Sequence, residues 1–205
     1  MALRYAISGD LRFLSHLDTL RLFERALARA AAPVRFSEGF NPRPKMMIPL
    51  PRSVGIESAD EMLVVELVGS AECAEFASRL SPHLPAGLNI LSAEVVPDGD
   101  RRLPIEVRYA LALSAEQRAV VSTARDRVLS SESIDVERRS PKAPARVVDI
   151  RPFIESIDLD GDGVTWTQRI TPKGTARPSE VLEALGLPAP EHIHRLRRVQ
   201  VRYMP

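Results

Sequence analysis

Two short stretches, Leu3-Arg4-Tyr5-Ala6-Ile7 and Val107-Arg108-Tyr109-Ala110-Leu111, open two runs of the same six elements. That duplicated order constrains the fold more than any other feature of the chain. In the first run, alternation predicts a strand over 3–7 with Leu3, Tyr5 and Ile7 on one face. Ser15 then caps a helix in which Leu17, Leu20, Phe23, Leu27 and Ala30 recur at helical spacing. Asp18 takes the capping-box position where Glu is usual, and Pro33 ends the helix. Strands are expected at 34–37 and 61–68, with 45–50 extended between them. A helix over 71–80, capped by Ser70, and a strand over 88–96 complete the run. The second run predicts a strand over 105–113, a helix from the cap Ser114 to about Leu129, and a strand over 134–138. A basic, proline-bearing loop at 139–146 follows. Segments 147–159 and 164–171 then pair through Asp160-Gly161-Asp162-Gly163. A helix over 178–185 has Pro178 in its first turn and Gly186 after its end, and a strand covers 195–203. Each run is a split βαβ unit. The expected class is α+β, two tandem ferredoxin-like units with antiparallel sheets, at 1–97 and 101–205, joined at Pro97-Asp98-Gly99-Asp100.

The net charge of the 205 residues is only +1, yet the charge is unevenly spread. Residues 1–52 carry nine basic and four acidic side chains, whereas 53–98 carry one basic and eight acidic. Residues 192–205 hold four arginines and no acid. Arginine outnumbers lysine 25 to three. Arginine favours planar bidentate partners such as phosphate and carboxylate, although a GC-rich genome raises its frequency without any binding role. No apolar run approaches the roughly 20 residues of a membrane span, and no leader pattern opens the sequence, so a cytoplasmic protein is expected. Cys73 is the single cysteine; it cannot form an internal disulfide or hold an iron–sulfur cluster by itself.

The candidate site lies within 8–52. Asp18, Arg21, Arg25 and Arg29 share the helix face opposite the leucines, as neighbours three and four residues apart. A solvated face with local ion pairs is the plain alternative. Arg12, Ser15 and His16 sit at the helix N-terminus, where backbone N–H groups favour anions. The loop Gly39-Phe40-Asn41-Pro42-Arg43-Pro44-Lys45 combines constrained backbone, two cations and an aromatic ring. Phe40 in such a loop stacks on a base or plugs the core. Arg43 and Lys45 are candidates to converge with Arg21 or Arg25 on an anion. A histidine side chain can act as general acid or base, which makes His16 the one candidate catalytic residue. No HExxH, phosphate-binding glycine loop or nucleophile motif is present. Asp158, Asp160 and Asp162 lack the remaining features of a calcium loop and read as a hairpin tip. In the second run, Lys173 and Arg177 flank a helix N-terminus as a candidate anion site, and Arg198 and Arg202 are placed on one exposed face of the last strand.

The segment SGDLRFLSHLDTLRLFERALARAAAPVRFSEGFNPRPKMMIPLPRSVGIES, with VVDIRPFIES and GTARPSEVLEALGL, resembles the uncharacterised radical-SAM-linked protein family along nearly the whole chain. The motif positions are Arg12, Ser15, His16, Asp18, Arg25, Gly39, Phe40, Asn41, Pro42 and Pro44, with Arg151, Arg177 and Pro178 in the second half. The resemblance implies a radical SAM partner, of the cobalamin-binding type, that carries the iron–sulfur cluster and S-adenosylmethionine. This chain is expected to bind no cofactor or metal itself.

Three readings stand. The first is a non-catalytic module that binds RNA and presents it to that partner for modification or processing. The second is a metal-independent endoribonuclease using His16. The third is a purely protein-binding subunit of a radical SAM complex.

Overall fold

A computed structural model describes residues 1–140, 143–161 and 163–204; Pro141 and Lys142 of the expected basic loop and Asp162 of the hairpin tip lie outside the described residues. The protein is mixed α+β, and its chain divides into two compact units. Unit 1 is Met1–Pro104 with Tyr203–Pro205, and unit 2 is Ile105–Arg202. Among the described residues no helix is long and apolar enough to cross a membrane.

Unit 1 runs β1 (Ala2–Ile7), α1 (His16–Arg29), β2 (Met46–Met47), β3 (Glu57–Val65), α2 (Cys73–Leu80) and β4 (Leu88–Glu94). Its strands lie in the order β4-β1-β3-β2, each neighbouring pair antiparallel. Leu3, Tyr5 and Ile7 of β1 are buried as the alternation predicts. They share one core with Phe23, Ala26 and Leu27 of α1 and Phe76 and Leu80 of α2. The Tyr5 and Phe23 rings meet edge to face, with centroids 4.9 Å apart.

Unit 2 contains β5 (Pro104–Ala112), α3 (Ala115–Ser130), β6 (Asp135–Ser140), β7 (Ala143–Asp149), β8 (Ile154–Asp160), β9 (Gly163–Arg169), α4 (Pro178–Ala184), α5 (Ala189–His192) and β10 (Arg197–Tyr203). Its main sheet has the order β10-β5-β9-β8, and β6 pairs only with β7 as a separate two-stranded ribbon. Val107, Tyr109 and Leu111 of β5 are buried, matching the three buried positions of β1. Ser114 and Gln117 form a reciprocal capping box at α3, which buries Val121, Ala124 and Val128. The single tryptophan, Trp166, is fully buried on β9 and its Nε1 donates to Gln168 Oε1 at 2.8 Å.

Several expectations are corrected. The strand at 34–37 and the extended 45–50 reduce to β2 and two isolated bridges, Val34↔Leu67 and Phe36↔Pro44. Pro33, Pro42, Pro44, Pro49 and Pro51 remove the donors a longer strand needs. β3 starts four residues earlier than expected because it buries Ser58, Asp60 and Glu61, which do not read as strand interior. α2 begins at Cys73 and is capped by Glu72, whose carboxylate accepts from Glu75 N at 2.7 Å, instead of by Ser70. The Cys73 thiol is only half-buried and lies 3.8 Å from Met1 Sδ. Leu17 is 61% exposed; the buried face of α1 is the expected Phe23 and Leu27 joined by Leu22 and Ala26. α1 ends at Arg29 because Ala31 adopts a positive φ of 46°, two residues before Pro33. The expected basic loop becomes the β6–β7 ribbon, and a 3₁₀ turn at Arg151–Phe153 containing Pro152 breaks the expected long strand into β7 and β8.

Candidate functional site

The N-terminus of α1 is closed locally. Asp18 N donates to Ser15 Oγ at 3.2 Å, and Ser15 Oγ donates to Asp18 Oδ2 at 2.6 Å. Aspartate thus binds the serine hydroxyl where glutamate would reach back to the cap's backbone. The Ser15 hydroxyl, helped by the Arg21 guanidinium 3.2 Å from Oδ1, holds the Asp18 carboxyl below its ordinary pKa. A carboxylate with a depressed folded pKa supports the fold above its unfolded pKa, and loses that support as pH falls through the folded value. Ser15→Ala is therefore expected to raise the Asp18 pKa toward the ordinary range, read by NMR titration of its carboxyl. The same variant costs about 1 kcal/mol of stability by chemical denaturation.

Arg12 is a tie within unit 1 instead of a free cation for an anion. Its Nη1 lies 3.2 Å from Glu57 Oε1 and its guanidinium stacks 4.9 Å from the Phe13 ring centroid. His16 is half-buried and lines a cavity of about 10 Å³ with Tyr5, Thr19, Arg52 and Glu61. That volume holds one water and no more.

Arg25 and Arg29 line an open cleft of about 710 Å³, with Asp18 on the same wall and Leu11, Leu14, Leu22 and Leu84 among its apolar surfaces. Arg29 Nη2 donates to the His83 carbonyl at 2.6 Å. Neither arginine has a carboxylate partner among the described residues, so their charge is not neutralised within the unit.

The loop after α1 is clasped at its base. Ser37 N donates to Arg43 O at 2.8 Å, Arg43 N donates to Ser37 Oγ at 3.0 Å, and Lys45 N donates to Arg35 O at 2.8 Å. Gly39 sits at φ +126°, a region closed to most side chains. Phe40 is 106% exposed, which removes the core-plug alternative. Asn41 and Arg43 are exposed beside it, and Arg43 has no ion-pair partner among the described residues. Lys45 is engaged: its Nζ lies 3.6 Å from Glu66, a carboxylate shared with Arg35 at 3.8 Å.

In unit 2 the expected anion site is already filled by the chain's own carboxylate. Arg177 N donates to Glu180 Oε2 at 2.7 Å, and α4 has only seven residues. Lys173 is exposed, its backbone N bonded to Thr171 Oγ1 at 3.2 Å. The expected exposed face of β10 also needs correction. Arg202 is exposed and paired with Glu106 at 2.9 Å. Arg198, however, is 2% exposed, with its guanidinium 5.9 Å from the Tyr109 ring centroid and Nη2 3.5 Å from the Tyr109 hydroxyl.

Two arginines outside the sequence-based candidates organise these regions. Arg52 Nη1 donates to the carbonyls of Arg12 at 2.7 Å and Ser53 at 3.3 Å, and also to that of Ile56. Arg138 on β6 forks onto Glu180, with Nε and Nη2 each 2.7 Å from a carboxylate oxygen, and adds a 2.8 Å bond to Thr175 O. Only the Pro-Arg and Arg-Arg surroundings marked them in sequence, and neither pattern carries a partner. Among the described residues no three His, Cys, Asp or Glu side chains are grouped to hold a metal ion.

No curated protein matches the chain. A family model described as an uncharacterized protein conserved in bacteria (DUF2344) matches residues 1–183, and the chain belongs to that family.

Proposed function

We propose that this protein is a non-catalytic module that binds RNA, transfer or ribosomal, and presents it to a radical SAM partner for modification or processing in the cytoplasm. The partner would carry the iron–sulfur cluster and S-adenosylmethionine. The proposal reads the chain as two tandem ferredoxin-like units, at 1–97 and 101–205, a reading supported by the parallel strand orders β4-β1-β3-β2 and β10-β5-β9-β8. The link to a radical SAM protein rests on the sequence resemblance.

The observation that carries the RNA reading is a set of exposed guanidinium groups, Arg25, Arg29 and Arg43, left without carboxylate partners in a unit where most other cations are paired. Uncompensated arginines suit phosphate, which they bind bidentately. Binding is preferred over cleavage because the cavity beside His16 is too small for a phosphodiester. A purely protein-binding subunit is the second reading, favoured by the leucine surfaces of the Arg25–Arg29 cleft.

The test is fluorescence anisotropy of labelled bacterial transfer RNA and ribosomal RNA fragments over a salt series. Wild-type affinity is expected to fall steeply with salt. Arg25→Ala and Arg43→Ala should each flatten the log–log slope by about 0.7–0.9, one phosphate contact apiece. Absence of RNA binding at low salt, with formation of a stable complex with the radical SAM protein, selects the second reading.

A further inference from the structure

The six phenylalanines divide into two groups. Phe23, Phe76 and Phe153 are buried, whereas Phe13, Phe36 and Phe40 are 53%, 52% and 106% exposed. Phe13 lies under the Arg12 guanidinium. Phe36 and Phe40 have no ring or cation partner among the described residues, and both belong to the single clasped loop that ends at Lys45. An isolated exposed apolar residue needs no explanation, but two aromatic rings held out by one loop do.

We infer that this loop takes an unpaired RNA segment, stacking bases on Phe40 and Phe36 with a phosphate on Arg43; the inference rests on the RNA-binding reading above. The loop is preformed: the Ser37–Arg43 clasp and the Phe36↔Pro44 bridge hold its base. Stacking on it therefore orders little additional backbone. The surroundings keep a net positive charge: the loop carries Arg35, Arg43 and Lys45 against Glu38 and the Glu66 carboxylate that Arg35 and Lys45 share, and Arg43 has no ion-pair partner among the described residues. An aromatic ring flanked by cations matches a base flanked by phosphates, in a manner tolerant of sequence. In an A-form duplex the base faces are covered by their neighbours and the major groove is too narrow for side chains, so only a single-stranded stretch, bulge or loop can offer a face to Phe40.

The only native tryptophan is fully buried, so Phe40→Trp adds an exposed indole at the site under test. The probes are an unstructured 12-nucleotide RNA and the same strand annealed to its complement. Phe40→Trp is expected to keep wild-type affinity and to show emission quenched on titration with the single strand. Phe40→Ala and Phe40→Leu should each weaken single-strand binding about tenfold or more, and leave the weaker duplex binding unchanged. Equal binding of both probes, with no loss in Phe40→Ala, overturns this inference and leaves the RNA-binding reading standing. If neither probe binds the wild-type protein at low salt, both fall. If Phe40→Ala binds RNA normally but no longer binds the radical SAM protein, the loop is a protein contact and the inference is likewise overturned.

Discussion

Arg138→Ala is expected to destabilise unit 2 by about 3–5 kcal/mol, the usual cost of stripping one partner from a buried ion pair. Both side chains of the Arg138–Glu180 pair are only 11% exposed. Removing the guanidinium deletes both arms of the fork and the bond to Thr175 O. Glu180 would keep only the Arg177 N–H and the distant Arg177 side chain, 3.9 Å away. The double variant Arg138→Met with Glu180→Leu should recover most of the loss, because an apolar pair of similar volume carries no desolvation cost. Urea denaturation of the two variants and the wild type decides the matter. A loss below about 1 kcal/mol for Arg138→Ala would mean that the fork is worth no more than a surface pair.

Arg52→Ala carries the second-largest expected effect, about 2–3 kcal/mol, since it abandons carbonyls that are partly screened from water. Its guanidinium gathers the carbonyls of Leu11, Arg12, Ser53 and Ile56, which fixes the chain before α1 to the turn before β3. Arg52→Lys should restore little, because one ammonium cannot span that fork. Arg52 also lines the small cavity beside His16, so the His16 imidazole resonances should shift in Arg52→Ala. Unmoved resonances would detach the clamp from His16, and unchanged stability would remove it as a structural tie.

The main strands and helices were legible where they depend on local periodicity: Leu3, Tyr5 and Ile7 announce their strand without help from distant residues, and so do Val107, Tyr109 and Leu111. What escaped depends on partners far away in sequence. The start of β3 looks polar because Asp60 is buried, and a buried carboxylate needs partners such as Arg4 Nη1, 3.0 Å away and 56 residues earlier. Arg198 reads as one of a row of surface cations, yet it is buried with its guanidinium beside Tyr109, 89 residues away. The Lys173–Arg177 segment looks like an anion site until Glu180 is seen to occupy the position. For Phe40, sequence offered a core plug and a stacking platform as equals; the Ser37 clasp, set by two hydrogen bonds across the loop, decides for exposure. The α1 arginines were readable as a face, but not the cleft that Arg25 and Arg29 share with the chain around Leu84.

Unit 1 is not contiguous in the gene product. Tyr203 packs against the buried group Ala2, Met62 and Val64, its ring lies 5.8 Å from the Arg4 guanidinium, and Met204 N donates to Leu103 O at 2.8 Å. During translation, Met1–Pro104 leaves the ribosome before those two, with all of unit 2 made in between. Until then the Ala2–Met62–Val64 patch lacks its Tyr203 cover, so unit 1 closes only after unit 2 has been synthesised.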